Sequence, residues 1–241
     1  MTVVSVDLAS RRYRDIGVAV LRGTPIRLEV ELVLPTAYLS GTPDSASLAC
    51  LCVEIASSSG ADLILLDGPQ GWRADSSRIE HMRACEKSTR APGKTGLPGI
   101  VKPRSWTRMA EFSIAVFDAL DALGWPRLSG GLGRAAVESF PTHSWRALGF
   151  PPLPGNPRRE QEIKSWMHRL STAVDVKWPR LPSHDELQAL MAGIGGLHLR
   201  TYGISGCELH GEPPRIEAGT WREGFILSPR RTTEMQSFCG A

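Results

Sequence analysis

Cysteine is scarce in this sequence and does not pair. There are five, Cys50, Cys52, Cys85, Cys207 and Cys239, an odd number with only the first two close together. Their C-x-C spacing is not the C-x-x-C of zinc ribbons or redox motifs, and no second pair completes a four-ligand set, so free and mostly buried thiols are expected. Long hydrophobic runs are also missing. Clean apolar pieces are as short as Leu63–Leu66, far from the ~20 residues of a membrane helix, and no membrane partner is expected. The opening MTVVSVDLAS has no basic segment or long apolar stretch before Asp7, which argues against a secretion signal and makes a cytoplasmic address the default. Nor is one sign of charge in excess: 28 Lys and Arg oppose 25 Asp and Glu, a net +3. With 41% hydrophobic and 22% charged residues, global disorder is excluded, and the balance is less lopsided than in a strongly basic binding domain.

The chain is read as one domain spanning residues 1–241, without repeats or low-complexity segments. Three short apolar runs open it: Val3–Leu8, Gly17–Leu21 and Ile26–Leu34, the last alternating apolar and polar. The turn formers Arg22-Gly23-Thr24-Pro25 separate the second from the third, which predicts strands joined as antiparallel hairpins. A helix is expected over Leu48–Ser58, then a strand over Asp62–Asp67 that is apolar throughout, like a parallel strand buried on both faces. Ser105 is expected to cap a helix to about Leu123. A strand at Arg134–Phe140, a short helix at Thr142–Leu148 and a proline-rich loop at Phe150–Pro157 follow. Two further helices are predicted from Arg158 to about Ala173 and from Ser183 to about Leu199, with one strand-like piece at Gly224–Ser228. The order is α/β with a mixed sheet flanked by helices.

Between residues 73 and 108 nine Lys and Arg stand against three acids, among several prolines and glycines. This basic insertion, with Arg78, Arg83 and Lys94 in it and Trp72 and Trp106 at its borders, suits a lid that tracks a phosphate backbone and stacks bases on its rings. A solvated loop is the plain alternative.

Carboxylates carry the strongest chemical signal. Asp7 ends the first apolar run, Asp67 ends the buried strand before Gly68-Pro69, Glu138 interrupts the apolar strand Ala-Ala-Val-Glu-Ser, and Asp185 lies in the first turn of a helix. Acids on three strands and one helix N-terminus can meet in a single pocket, where they repel unless a cation joins them. Hard oxygen donors in that number suit one or two Mg²⁺ or Mn²⁺ ions and metal-assisted phosphodiester hydrolysis.

At this point the chain resembles a family. VVSVDLAS, LILLDGPQGW followed by R-x-x-x-x-H-x-R-x-C-E, VESFPTHSWRALG, HDELQALMAGIGGLHLRTYG and EGFILSP, in that order over roughly residues 2–229, resemble the bacterial domain-of-unknown-function family 429, predicted RNase H-like nucleases. The resemblance implies the RNase H-like fold, a five-stranded sheet with the first three strands antiparallel and the next two parallel, and nucleic acid, DNA or RNA, as partner. It would match Asp7 to the first-strand Asp, Asp67 to the fourth-strand Asp and Glu138 to the acid of the strand before a proline. Where the family and the related Holliday-junction resolvases carry Asp in a D-A-L triplet on the last helix, this chain has Gln188-Ala189-Leu190, with Asp185 one turn earlier on the same face. Gln188 brings no charge, but its amide can hold a water, ligate a metal weakly or contact substrate.

Other signals are weaker. Pro92-Gly93-Lys94-Thr95 ends like a P-loop, yet Ser88 replaces the first Gly and no buried strand precedes it. His143, five residues after Glu138, is a candidate general base or phosphate contact at the pocket's edge, or simply a partly exposed, hydrogen-bonded helix residue. The remaining histidines show no H-x-x-x-H or H-E-x-x-H spacing, so no zinc site is expected. Two rival functions stay open: a non-catalytic nucleic-acid or protein-binding module, and an actin-like or sugar-kinase-like phosphotransferase. The second lacks a Gly-rich turn after Asp7.

Overall fold

The computed structural model describes residues 1–155 and 160–231. The end of the proline-rich loop, the start of the helix expected from Arg158, and Cys239 lie outside the described residues. In chain order the first half contains β1 (Thr2–Asp7), β2 (Gly17–Thr24), β3 (Arg27–Val33), α1 (Ser45–Ser59), β4 (Leu63–Asp67), α2 (Ala84–Thr89), β5 (Lys94–Thr95), β6 (Val101–Lys102) and α3 (Thr107–Ala122). The second half contains β7 (Ala135–Ser139), α4 (Pro141–Ala147), α5 (Glu160–Ser171), β8 (Asp175–Lys177), α6 (His184–Tyr202), β9 (Cys207–Glu217) and β10 (Thr220–Pro229).

Eight strands form one sheet in the order β8-β3-β2-β1-β4-β7-β10-β9, and β5 and β6 form a separate hairpin. β1, β2 and β3 pair antiparallel, whereas β1 with β4 and β4 with β7 pair parallel. The five strands β3-β2-β1-β4-β7 thus have the order and senses of an RNase H-like fold. Alternate residues of each central strand face opposite layers. Val3, Leu63, Leu65 and Val137 pack beneath α4, α5 and α6, while Val4, Val6, Ile64, Leu66 and Ala136 pack against α1 and α3. Burial on both faces is why β4 reads as an unbroken apolar run.

The sheet is wider than the five strands expected. β8 adds a three-residue edge beside β3, and β10 pairs parallel with β7 and antiparallel with β9. β9 carries Glu208, Glu212, Pro213 and Pro214. At a sheet edge a proline costs no ladder bond and one face stays wet, so the segment has no apolar pattern to detect. Ser105 does not cap α3 but lies inside a 3₁₀ turn, Arg104–Trp106, that precedes it. No helix among the described residues is long and apolar enough to cross a membrane.

The helix that matters most for the site is α6. Ser183 is its N-cap: the Glu186 backbone N–H donates to Ser183 Oγ at 3.1 Å, and Ser183 N–H donates to Glu186 Oε2 at 2.8 Å, a closed capping box. α6 then lies close to the sheet because side chains are missing at the contact. A Cβ on Gly17 would stand 2.2 Å from the Asp185 carbonyl carbon and oxygen, and one on Gly193 or Gly196 would stand 2.6 Å from Leu21 or Leu65. Gly17 is also the antiparallel partner of Asp7, so the same glycine admits the start of α6 right beside the end of β1.

Gly17→Ala forces backbone apart and is expected to cost at least the ~1–3 kcal/mol of overpacking, a drop in Tm of several degrees by thermal unfolding. Gly131→Ala, with nothing among the described residues within 4 Å of the added carbon, is expected to change stability by less than ~0.5 kcal/mol.

Candidate functional site

Asp7 and Asp67 are the last residues of β1 and β4 and are direct register partners on these parallel strands. Neighbouring strands lie about 4.8 Å apart, and partners in register project to the same face, here the face that α6 covers. Asp185 arrives from the first turn of α6. Carboxylate oxygens of Asp7 and Asp185 and a ring nitrogen of His184 all lie within 4.8 Å of one another. The helix N-terminus adds a partial positive charge that favours acids at this spot.

The three carboxyls are half-buried, and Asp7 is the hub. Burial raises its pKa well above the usual carboxylate range, and the charges of Asp67 and then Asp185 raise it further. Asp67 is pushed up to about 7, chiefly by burial; a hydrogen bond from Asp7 works the other way and the Glu138 charge adds to the rise. Without a cation, burial and mutual repulsion make the Asp7–Asp67 pair harder to ionise fully than ordinary carboxyls. Such a set of hard, mutually repelling oxygens is chemically suited to a divalent cation such as Mg²⁺ or Mn²⁺, which removes the repulsion.

Glu138 is placed differently from the other acids. Its register partner is Leu66 rather than Asp67, so its side chain leaves the sheet on the α1 and α3 face. There both of its oxygens are taken. Arg83 Nη1 donates to Oε2 at 2.7 Å, Arg83 Nη2 donates to Oε1 at 2.8 Å, and Gln70 N–H donates to Oε2 at 3.1 Å. The same Arg83, fully buried, also donates to Glu86 Oε1 from Nε and Nη2 at 3.0 and 2.8 Å. Glu86 Oε2 in turn accepts from Arg83 N–H and from Thr95 N–H. One guanidinium therefore ties β7 to α2 and β5, and Glu138 meets a cation without any metal.

Beside Asp67 opens a cavity of about 400 Å³ whose walls include Asp67, Arg83, Glu138, Arg11, Lys94 and Trp106. Its cover is the basic segment, which is ordered through α2 and the β5–β6 hairpin. Lys94 lines this cavity, whereas Arg78 is exposed and is not among its walls. Arg83 is a buried structural cation rather than a free phosphate contact. Trp72 is buried with Val101, Ala110 and Ile114, so its ring has no free face for a base. Trp106 is 43% exposed and its ring lies against Gly93, where a Cβ would come within 2.5 Å. Gln188 is buried, its Oε1 accepting from Trp145 Nε1 at 2.9 Å, so the amide holds the core rather than the pocket. His143 lines a second cavity that, among the described residues, shares no lining residue with the first. The Pro92-Gly93-Lys94-Thr95 run enters the two-residue strand β5 rather than a helix, so it builds no P-loop.

Sequence reasoning missed His184, whose Nδ1 lies 2.8 Å from Asp185 Oδ1 and whose Nε2 lies 3.1 Å from the Pro154 carbonyl. Its place directly before Asp185, after the N-cap Ser183, was the available signal. It missed the partnership of Arg83 with Glu138 as well, because 55 residues separate the two.

No protein-family model matches the chain, and no curated protein matches it. Among solved structures it is similar to "Thermus thermophilus RuvC structure", with 11% identity over 88% of this chain and 99% of that one and a TM-score of 0.41. It is likewise similar to "T. thermophilus RuvC in complex with Holliday junction substrate", with 12% identity, the same coverages and a TM-score of 0.42. The fold class stands on the strand order described above.

Two outcomes follow from the charges. Because the folded-state pKa values of Asp7 and Asp67 are raised, their contribution to the stability of metal-free protein is full below about pH 4 and is lost as pH rises towards and past 7. Asp7→Asn removes the repulsion and is expected to raise the metal-free Tm at pH 8 by about 2–4 °C per kcal/mol relieved, with a much smaller gain at pH 4. Arg83→Met leaves two buried carboxylates without their cation and is expected to cost about 3–5 kcal/mol in denaturant unfolding.

Proposed function

We propose that this chain, as a single RNase H-like domain akin to the domain-of-unknown-function family 429, is a metal-dependent nuclease acting on nucleic acid. The observation that carries the reading is the gathering of Asp7, Asp67 and Asp185 from two parallel strands and a helix N-terminus into one carboxylate cluster. Held there, one or two Mg²⁺ or Mn²⁺ ions would neutralise the phosphodiester and supply an activated water.

The residues divide the remaining work. Asp7 and Asp67 are the proposed ligands at the strand ends, and Asp185 completes the set from α6 with His184 positioning it. Glu138 acts through Arg83 as a positioning residue that fixes the cavity wall beside Asp67. Lys94 and Arg11 are the proposed phosphate contacts within the cavity, and the exposed edge of Trp106 is the stacking surface for a base. A half-enclosed cavity of about 400 Å³ admits a nucleotide unit rather than a whole duplex, which favours an unpaired or flipped-out substrate strand.

The test is cleavage of labelled single-stranded, duplex, hybrid and branched nucleic acids with Mn²⁺. Wild type is expected to cut at least one of them, and Asp7→Asn and Asp67→Asn to lose at least ~100-fold, beyond what loss of an outer partner costs a metal site. If wild type cuts none of them, or both variants cut as well as wild type, the reading fails.

A further inference from the structure

The second cavity, about 680 Å³, is lined by His143, Glu208, Ser88, Thr89 and four arginines, Arg90, Arg146, Arg230 and Arg231. Beside it, a ring nitrogen of His143, a ring nitrogen of His210 and a carboxylate oxygen of Glu208 all lie within 4.8 Å of one another, and His143 and Glu208 line the cavity. Glu208 and His210 are two apart on β9, so both point to the same face of the strand, and α4 brings His143 to them. The two imidazoles meet edge to face with centroids 4.7 Å apart.

How the rings are held matters as much as their proximity. Ser88 Oγ lies 2.9 Å from His210 Nδ1, which leaves Nε2 directed at Glu208 Oε2, 3.4 Å away. That Nε2 is buried and has no hydrogen-bond partner among the described residues. His143 lines the cavity beside Thr89 of the same turn. His210 is thus anchored through Nδ1 by the last turn of α2, with Nε2 left facing Glu208. Metal-ligating histidines are built this way, with an outer oxygen fixing tautomer and ring plane.

We propose that His143, Glu208 and His210 form a second metal site, for a transition-metal dication of the zinc class, with three protein ligands and a fourth position open to the arginine-lined cavity. Two nitrogens and one carboxylate oxygen are the donors of a zinc site with an open position, and are too few and too soft for Mg²⁺. The arginines, Arg230 being 3.7 Å from Glu208, repel a bare cation but attract an anion, so the open position takes a hydroxide, phosphate or other anionic ligand. The histidine spacing gave no hint of this, because His143 and His210 lie on different elements and Glu208-x-His210 is a strand pattern rather than a helical one.

The experiment uses the full chain stripped of metal, titrated with Zn²⁺ by calorimetry and with Co²⁺ by visible absorption, beside Glu208→Gln, His210→Asn and Asp7→Asn. Wild type and Asp7→Asn are expected to bind one Zn²⁺ tightly and to give the intense visible bands of low-coordinate Co²⁺. Glu208→Gln and His210→Asn are expected to weaken binding by more than the ~10–100-fold that loss of an outer partner costs. Glu208 is exposed, so its variant keeps the comparison sound even if the histidine variant fails to fold. Absence of Zn²⁺ binding to wild type, binding unchanged in Glu208→Gln, or binding lost only in Asp7→Asn overturns the proposal. The last outcome would assign the zinc to the carboxylate cluster instead.

Discussion

The close approach of α6 to the sheet is the constraint on which the rest of the candidate site depends. Helices normally ride on side chains about 10 Å above a sheet, and here three glycines, Gly17, Gly193 and Gly196, remove those side chains at the contact. The backbone at Asp185 then touches the β2 backbone at the register partner of Asp7. Three acids that repel one another are held together by packing elsewhere. Val3, Leu21, Leu63, Leu65, Leu187, Leu190 and Ile194 are buried in the layer between α6 and the sheet, and the ~1.5–3 kcal/mol each contributes offsets the electrostatic cost. Strain of this kind, stored at a site and supported by the surrounding core, is a common mark of function.

Arg83 plays the corresponding part on the other face. A carboxylate buried on a central strand is costly by itself, and Glu138 is stable there because a guanidinium with five donors serves it and Glu86 at once. The consequence reaches beyond one ion pair. Since Glu86 also accepts from the β5 backbone, the basic segment is pinned over the cavity rather than left as a loop, and its charge is partly spent in structure. The cations that remain turned inward are Arg11 and Lys94. A segment with nine basic residues therefore presents a much smaller positive surface to the cavity than its composition suggests.

Much of this was legible in the chain. Alternation and turn residues gave the antiparallel opening, the unbroken apolar run gave the parallel β4, and Ser183 gave the start of α6. Asp7 and Asp67 stood out because a charge ending an apolar strand needs a reason. Less visible were the edge strands β8 and β9, which are short or proline-bearing and wet on one side, and the cap of α3, which a 3₁₀ turn displaced. Glu138 was visible as an acid in a strand. Its face was not, because a shift of one residue in register between β4 and β7 sends the side chain to the opposite layer.

The sequence by itself determined what is local: the periodicities, the turn chemistry, the order of strands and helices, and which acids would be costly where they stand. Only the tertiary structure decided which of those acids share a site, that Arg83 neutralises Glu138, that Gln188 serves Trp145, and that His143 joins Glu208 and His210 in a separate cavity. These are contacts between residues tens of positions apart, set by strand register and by the depth at which a helix can seat on a sheet. Neither quantity is encoded in any short window of sequence; both emerge only when the layers pack.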